Sequence, residues 1–445
     1  MMNALNFVKF SQLQNWSVLY LTTKAIVFNR KYMLSPIGSF LSKSEDSICI
    51  LDDEQYVQIT VHTNNGGLEA RDVKPKLGKD IGTKRQYRVH VGQFLVSKID
   101  ARNGAFGIVP SNLENAIVTH DFPVFNVDKS KLNPEYLLLI ATSKHFKKIA
   151  QDCSSGTTNR QRIDIKKFLA QKIPLPQKSQ QDEIVSKYKQ TIAEAEAKES
   201  EALKLGNDIE QYLLDKLGIC FVNNKNKTNG VLQTVRFSNL NRWDVYNINN
   251  SFIPLFEKSL YPIVNIGNVF DFTTRTWDKR EPVFNYVEIG AVDPLLGIVS
   301  SQEIKTSKAP SRATQVIREG DLIIGTTRPY LKKFAIVNDK YDSCVCSSGF
   351  QVIVPNTETN VEFLYEYLKS SIAVAQFEFF MTGALYPAIT TKDLKKILIP
   401  LPPIDIQNKI VAHIAEMKSQ IKMLRQQAID LRDKALKDFE KEIFE

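Results

Sequence analysis

The five cysteines, Cys49, Cys153, Cys220, Cys344 and Cys346, contain no CxxC pair. Such a scattered, odd set suits a reduced compartment and argues against both a disulfide framework and a zinc site. Long apolar runs are missing too. The opening stretch WSVLYLTTKAIVF is broken by Thr22, Thr23 and Lys24 and lacks a small-residue cleavage site, and no segment approaches the length of a membrane span. A soluble, cytoplasmic protein is expected.

Catalytic signatures are equally scarce. The five histidines, His62, His90, His120, His145 and His413, fall at no metal-ligand spacing. Gly78-Lys79-Asp80-Ile81-Gly82-Thr83-Lys84 has the wrong spacing for a phosphate loop, and neither GxGxxG after a strand nor HExxH occurs. The Asn/Asp-Pro-Pro-aromatic motif of amino-methylating DNA methyltransferases is absent as well, since Pro402-Pro403 lies in Leu-Pro-Pro-Ile. Catalysis by this chain alone is not expected. The 445 residues, 43% hydrophobic and 24% charged, are enough for two or three domains with proper cores. A net charge of +9 with a sequence pI near 9.0 suits a polyanionic partner, or equally a solvated lysine-rich surface.

What is present is a repeat. VKFSQLQNWSV at 8–18 returns as VRFSNLNRWDV at 235–245, displaced by just over half the chain. Tyr32 with Ile37-Gly38 recurs as Tyr261 with Ile266-Gly267, and Tyr56-Val57-Gln58-Ile59 as Tyr286-Val287-Glu288-Ile289. GQFLVSKIDARNGAFGIV aligns with GDLIIGTTRPYLKKFAIV, and Ile173-Pro174-Leu175-Pro176 with Ile399-Pro400-Leu401-Pro402. The displacement drifts by only a few residues, so both halves should share one fold and form a pseudo-two-fold molecule.

Each half has two parts. The first carries short β-branched or aromatic runs such as PVFNV, DLIIG and FQVIV, punctuated by Gly, Asn and Pro, and reads as a compact mixed domain. The second follows Pro-Leu-Pro, is nearly free of Gly and Pro, and reads as a long helix. Stepping by four and three gives Ile184, Tyr188, Thr191, Ala195, Lys198, Ala202, Leu205, Ile209 and Tyr212 in one helix. In the other it gives Ile410, Ile414, Met417, Ile421, Leu424, Ala428, Leu431, Ala435 and Asp438. This period is that of a coiled-coil seam. Lys198 interrupts it, either fixing register or snorkelling among Glu194, Glu199 and Glu201. A helix over 180–218 is roughly 57 Å long at about 1.5 Å per residue. A connection of about 16 residues, at about 3.3–3.6 Å each, could barely run back that far. Antiparallel pairing is therefore expected, with the Asn-rich segment NNKNKTNG (223–230) as a relaxed linker.

The chemistry-bearing residues lie in corresponding turns after a strand. Lys98, Arg102 and Asn103 occupy the first half, and Thr326, Thr327, Arg328, Tyr330, Lys332 and Lys333 the second. Such side chains donate to base edges or phosphates. Taken singly, Lys332 and Lys333 could equally be solvated and Arg328 could pair an acid.

The order head, Pro-Leu-Pro and long helix, repeated once, resembles the specificity subunit of type I restriction-modification systems over nearly the whole chain. GDLIIGTTRPYLKKFAIV, GALYPAITTKDLKKILIPLPPIDIQNKIV, and SKIDARNGAFGIVP with DFPVF behind it are similar to segments typical of that family. The first half departs from it, with Pro174-Leu175-Pro176-Gln177 lacking the second proline and Gly156-Thr157-Thr158-Asn159 in place of Gly383-Ala384-Leu385-Tyr386-Pro387. The heads should therefore read different sequences.

The resemblance implies an α+β fold, with two mixed α/β target recognition domains at 1–178 and 235–403. An antiparallel coiled coil of the spacer helices 179–218 and 404–445 would separate them, with 219–234 as linker. It implies a non-catalytic subunit that reads a bipartite site on double-stranded DNA, the coiled coil acting as ruler. The partners implied are two methyltransferase subunits docked along the helices and further restriction subunits, with no membrane. The chain itself would carry no cofactor; S-adenosylmethionine, ATP and Mg would belong to the partners. Two other readings remain: a coiled-coil scaffold bridging two proteins, whose binding would lack the salt dependence of phosphate contacts, and an unpartnered, inactive specificity subunit.

Overall fold

The computed structural model describes residues 28–29, 31–63, 67–155, 161–219, 256, 258–383 and 385–444. The opening repeat at 8–18 and 235–245, the linker after Ile219, and Gly156 to Asn159 lie outside the described residues. The chain divides into two units, residues up to 198 together with 426 onward, and residues 199–425. Each unit contains one head and part of each long helix.

Both heads follow one plan. The first and last strands of a head pair antiparallel with each other: Leu34–Pro36 with Lys172–Pro174, and Ile263–Asn265 with Leu398–Pro400. Between them lies a 4-stranded sheet. Its order in the first head is Phe106–Ile108, Phe94–Val96, Val124–Val127, Leu41–Lys43. In the second head the corresponding strands keep that order: Phe334–Ile336, Leu322–Gly325, Phe350–Val354, Asp271–Thr273.

The apolar runs in the sequence are explained by what covers this sheet. Side chains alternate across a strand, and here both faces are buried. Phe94 and Val96 join one core while Leu95 joins another. Leu322 and Ile324 are likewise separated from Ile323. A strand buried on both sides reads as a continuous apolar run.

Two helices cover one face in each head, Pro134–Thr142 and Lys144–Asp152, then Val361–Leu368 and Ser371–Phe380. Their starts are set by side-chain caps. Asn133 and Asn360 accept from the backbone N–H groups two and three residues on, and Ser143 and Ser370 do so three residues on. Each cap stabilises its helix by about 1 kcal/mol. Rings fill the space beneath. Phe106 stacks on Phe94 and on Phe168, both at 5.9 Å, and meets Phe146 edge-on at 6.1 Å. In the second head Phe334 lies 5.6 Å from Phe377.

The other face carries a second sheet on which the heads differ, 3-stranded in the first head and 4-stranded in the second. In the second head Val345–Ser347 lies between the parallel strand Val283–Val287 and the antiparallel strand Ala313–Val316. In the first, Ile117–Val118 pairs with Arg85–Arg88, and the parallel partner shrinks to a bridge from Gln58 to Ile117.

The long helices run Lys178–Leu217 and Ile404–Phe444. In the first unit, Val185 of one helix and Phe439 and Ile443 of the other enter the head's core, and Tyr188 meets Phe439 edge-on at 6.4 Å. In the second unit, Leu213, Leu214 and Leu217 join Ile410 and Ile414. There Tyr212 contacts His413 at 4.4 Å, and a Cβ at Gly206 would stand 4.0 Å from Ile421 Cδ1. One register rises as the other falls, so the pairing is antiparallel, as expected. The seam departs from expectation at one end: Asp438 is exposed and Phe439 takes its place. Ala435, Phe439 and Ile443 are spaced by four, because an unsupercoiled helix turns at 3.6 residues and drifts off a strict heptad. Lys198 is half-buried and engaged rather than free.

A titratable clasp ties three segments of the first head. His90 Nδ1 lies 2.7 Å from Glu114 Oε1, and Nε2 lies 2.9 Å from Asp46 Oδ2. Hydrogen bonding to Glu114 and then to Asp46 raises the imidazole above its ordinary value. A raised folded value contributes stability that is complete below about pH 6.5 and lost as pH rises through the folded value. The thermal midpoint of the wild type should therefore fall above about pH 6.5 relative to that of His90→Gln. Parallel pH profiles for the two proteins would remove His90 from the balance.

Candidate nucleic-acid interface

The two candidate loops share one backbone frame. In the first head the strand Phe94–Val96 leads into a 3-10 turn at Ala101–Asn103; in the second, Leu322–Gly325 leads into one at Pro329–Leu331. Ser97 N–H donates to Ala105 O at 3.0 Å, as Gly325 N–H does to Lys333 O at 2.9 Å. Lys98 N–H donates to Asp121 O, and Thr326 N–H to Gly349 O, each at 2.8 Å. The carbonyls of Lys98 and Thr326 accept from Ile163 and Ile389, each at 2.9 Å. Both turns close on a left-handed residue, Gly104 at φ 81° and Lys332 at φ 54°.

On that common frame the side chains differ. In the first head Lys98 is half-buried, Asn103 is exposed with its amide 3.3 Å from Asp100 Oδ1, and Arg102 reaches Gln161 Oε1 at 3.3 Å. Gln151 donates to the same oxygen at 2.7 Å. In the second head Thr326 and Thr327 are half-buried, and the Thr326 hydroxyl donates to Gly349 O at 2.9 Å. Tyr330 and Lys332 are also half-buried. Lys333 turns inward, its ammonium donating to Val292 O, so it braces the neighbouring hairpin rather than extending from the loop.

Arg328 organises this surface. Its backbone is left-handed at φ 50°, a conformation that costs an L-residue about 1–2 kcal/mol. A second loop holds it there. Arg328 N–H donates to Pro387 O at 2.7 Å, an Nη donates to Leu385 O at 3.1 Å, and the guanidinium lies 5.1 Å from the Tyr386 ring centroid. Thr327 and Thr382 each bridge to Ala388. Arg328 thus pairs backbone carbonyls and an aromatic face, not an acid. Among the described residues, its buried Nε is left without a partner.

Leu385 and Tyr386 were not among the expected site residues, yet they are 81% and 72% exposed beside Arg328. An exposed Tyr and Leu flanking an Arg and two Thr hydroxyls offer stacking and hydrogen bonding on one surface. Their signal was in the sequence, since GALYP stands where the first half has a different loop. The phosphate-loop lookalike, by contrast, is a structural turn. A Cβ on Gly78 would meet Leu51 O at 1.9 Å, and Lys84 donates to Gly78 O at 2.8 Å and pairs with Asp52. Among the described residues no His, Cys, Asp and Glu cluster suits a metal, and no helix is long and apolar enough to cross a membrane.

Residues 38–205 and 259–431 both match the type I restriction modification DNA specificity domain. The chain belongs to the type I specificity-subunit family. Two such domains account for the doubled plan of strands, caps and helices, and each head is a target recognition domain. Among relatives, a putative type I restriction enzyme MjaX specificity subunit from Methanocaldococcus jannaschii is 24% identical over 355 residues, 77% of this chain and 75% of that protein. The type I restriction enzyme HindI specificity subunit from Haemophilus influenzae is 27% identical over 163 residues, 36% of this chain and 34% of that protein. The fold is also similar to that of a chain solved in work on complex assembly and conformational transition of the type I R-M system. The TM-score is 0.59 at 16% identity, covering 93% of this chain and 98% of that one. As a specificity subunit the chain is non-catalytic and serves DNA recognition.

Proposed function

We propose that the two target recognition domains read two separate half-sites of one bipartite sequence on double-stranded DNA. The observation that carries this reading is the pair of matching loop frames with different side chains, Lys98 to Gly104 in one head and Thr326 to Lys332 in the other. A shared frame presents a loop to the duplex in the same way twice, while different donors and rings select different bases. Two methyltransferase subunits would dock along the long helices and flip and methylate an adenine in each half-site, using S-adenosylmethionine. Restriction subunits would add ATP- and Mg-dependent translocation and cleavage.

Co-expression with a type I methyltransferase subunit, followed by modified-base sequencing of host DNA, tests the reading. The expected result is an adenine-methylated motif split into two short parts by a fixed unspecified gap. A contiguous motif would overturn the assignment of one half-site to each head.

A further inference from the structure

We propose that a second loop of the second head, Lys305 to Arg312, grips the DNA backbone beside the Arg328 surface. The inference rests on the DNA-reading function above and adds a phosphate-binding surface to it. The loop reads KTSKAPSR, with Lys305, Lys308 and Arg312 and no carboxylate. All three cations are exposed, and among the described residues their side chains take no hydrogen bond or ion pair.

Backbone geometry fixes where the loop lies. Ser348 N–H donates to Arg312 O at 2.7 Å, and the next residue, Gly349, accepts from both the N–H and the hydroxyl of Thr326, at 2.8 and 2.9 Å. Arg312 and Thr326 therefore flank the two-residue turn Ser348-Gly349, and a duplex against Thr326 and Arg328 lies within reach of Arg312. The loop's other end is pinned, because Thr306 N–H donates to Pro282 O at 2.9 Å and its hydroxyl bonds Glu281 O. Ala309 packs against the cluster containing Trp277 and Phe284. A loop held at both ends loses little conformational entropy on binding, so its free cations are well placed for phosphates.

At the position before the matching strand of the first head the cation is engaged instead. Lys84 stands just before Arg85–Arg88 as Arg312 stands just before Ala313–Val316, but it is paired with Asp52 and bound to Gly78 O. The cation just before this strand is therefore free in the second head and paired in the first.

The test is the salt dependence of binding by the full chain, with its co-expressed partner subunits, to a short mixed-sequence DNA duplex. Each lost phosphate contact should reduce the slope of log affinity against log salt by about 0.9. Lys308→Ala/Arg312→Ala should thus flatten it by about 1.8, while Lys84→Ala should leave it at the wild-type value. The substituted side chains are exposed, and an unchanged melting curve checks that the variant is folded. A wild-type slope in the double variant, with salt-dependent binding intact in the parent, would overturn the loop assignment alone. A parent that binds without salt dependence would overturn the DNA reading and this inference with it.

Discussion

Replacing Gln407 with Leu should lower the stability of the second head by about 2–6 kcal/mol, because it strands two backbone groups, one buried and one partly buried, at about 1–3 kcal/mol each. Gln407 is 1% exposed. Its amide donates to Pro402 O at 2.8 Å, and its carbonyl oxygen accepts from Asn360 N–H at 2.9 Å. Asn360 is itself the cap of the helix Val361–Leu368 and donates to Asn408 at 2.8 Å. One side chain therefore ties the Pro-Leu-Pro joint, the start of a long helix and the start of a head helix. Leu fills the space without the polar atoms, so the loss isolates the hydrogen bonds from packing. The first head repeats the device. Gln181 donates to Pro176 O and Lys131 O at 2.9 and 3.0 Å and accepts from Asn133 N–H at 2.8 Å. Chemical unfolding followed separately for each head is the measurement. A shift below about 1 kcal/mol for Gln407→Leu would mean that the joint is held by apolar contacts alone.

Arg328→Ala should reduce DNA affinity by about 10- to 100-fold, the equivalent of about 1–3 kcal/mol for a lost base-reading contact. Arg328→Lys should recover little of it, because a lysine cannot reproduce a planar group set over Tyr386 while reaching Leu385 O. Binding of duplexes carrying the methylated motif, with the unsubstituted chain as reference, checks both variants. If Arg328→Ala binds as tightly as the parent and only melts earlier, the side chain is a brace for the Leu385 to Pro387 turn and the recognition surface lies elsewhere.

The doubled architecture was legible because the repeat preserves what the fold requires. Gln181 and Gln407 both follow Pro-Leu-Pro, and Asn133 and Asn360 both precede a head helix. Their meeting is a tertiary fact with no local periodicity, so pattern reading passed over all four. The heptad was legible over most of its length but misassigned Asp438, since over one turn a four-residue step and a three-residue step look alike. Among the loop residues, the corresponding turns were legible but the contacts of their side chains were not. Lys333 belongs to the expected set, yet its ammonium is spent on Val292 O. Leu385 and Tyr386 reach Arg328 through the bridges to Ala388, far along the chain, and only tertiary structure brings them to the site. Arg312 was silent for the same reason, its neighbour Ser348 being supplied by another strand.

The pairing of each head's first strand with its last has a consequence for how such a chain can change. Entry and exit run side by side, at Leu34–Pro36 with Lys172–Pro174 and at Ile263–Asn265 with Leu398–Pro400. A head is thus a closed excursion from the helical frame, beginning and ending at one place. Genetic exchange between those strands would replace a whole head while leaving the frame's path untouched.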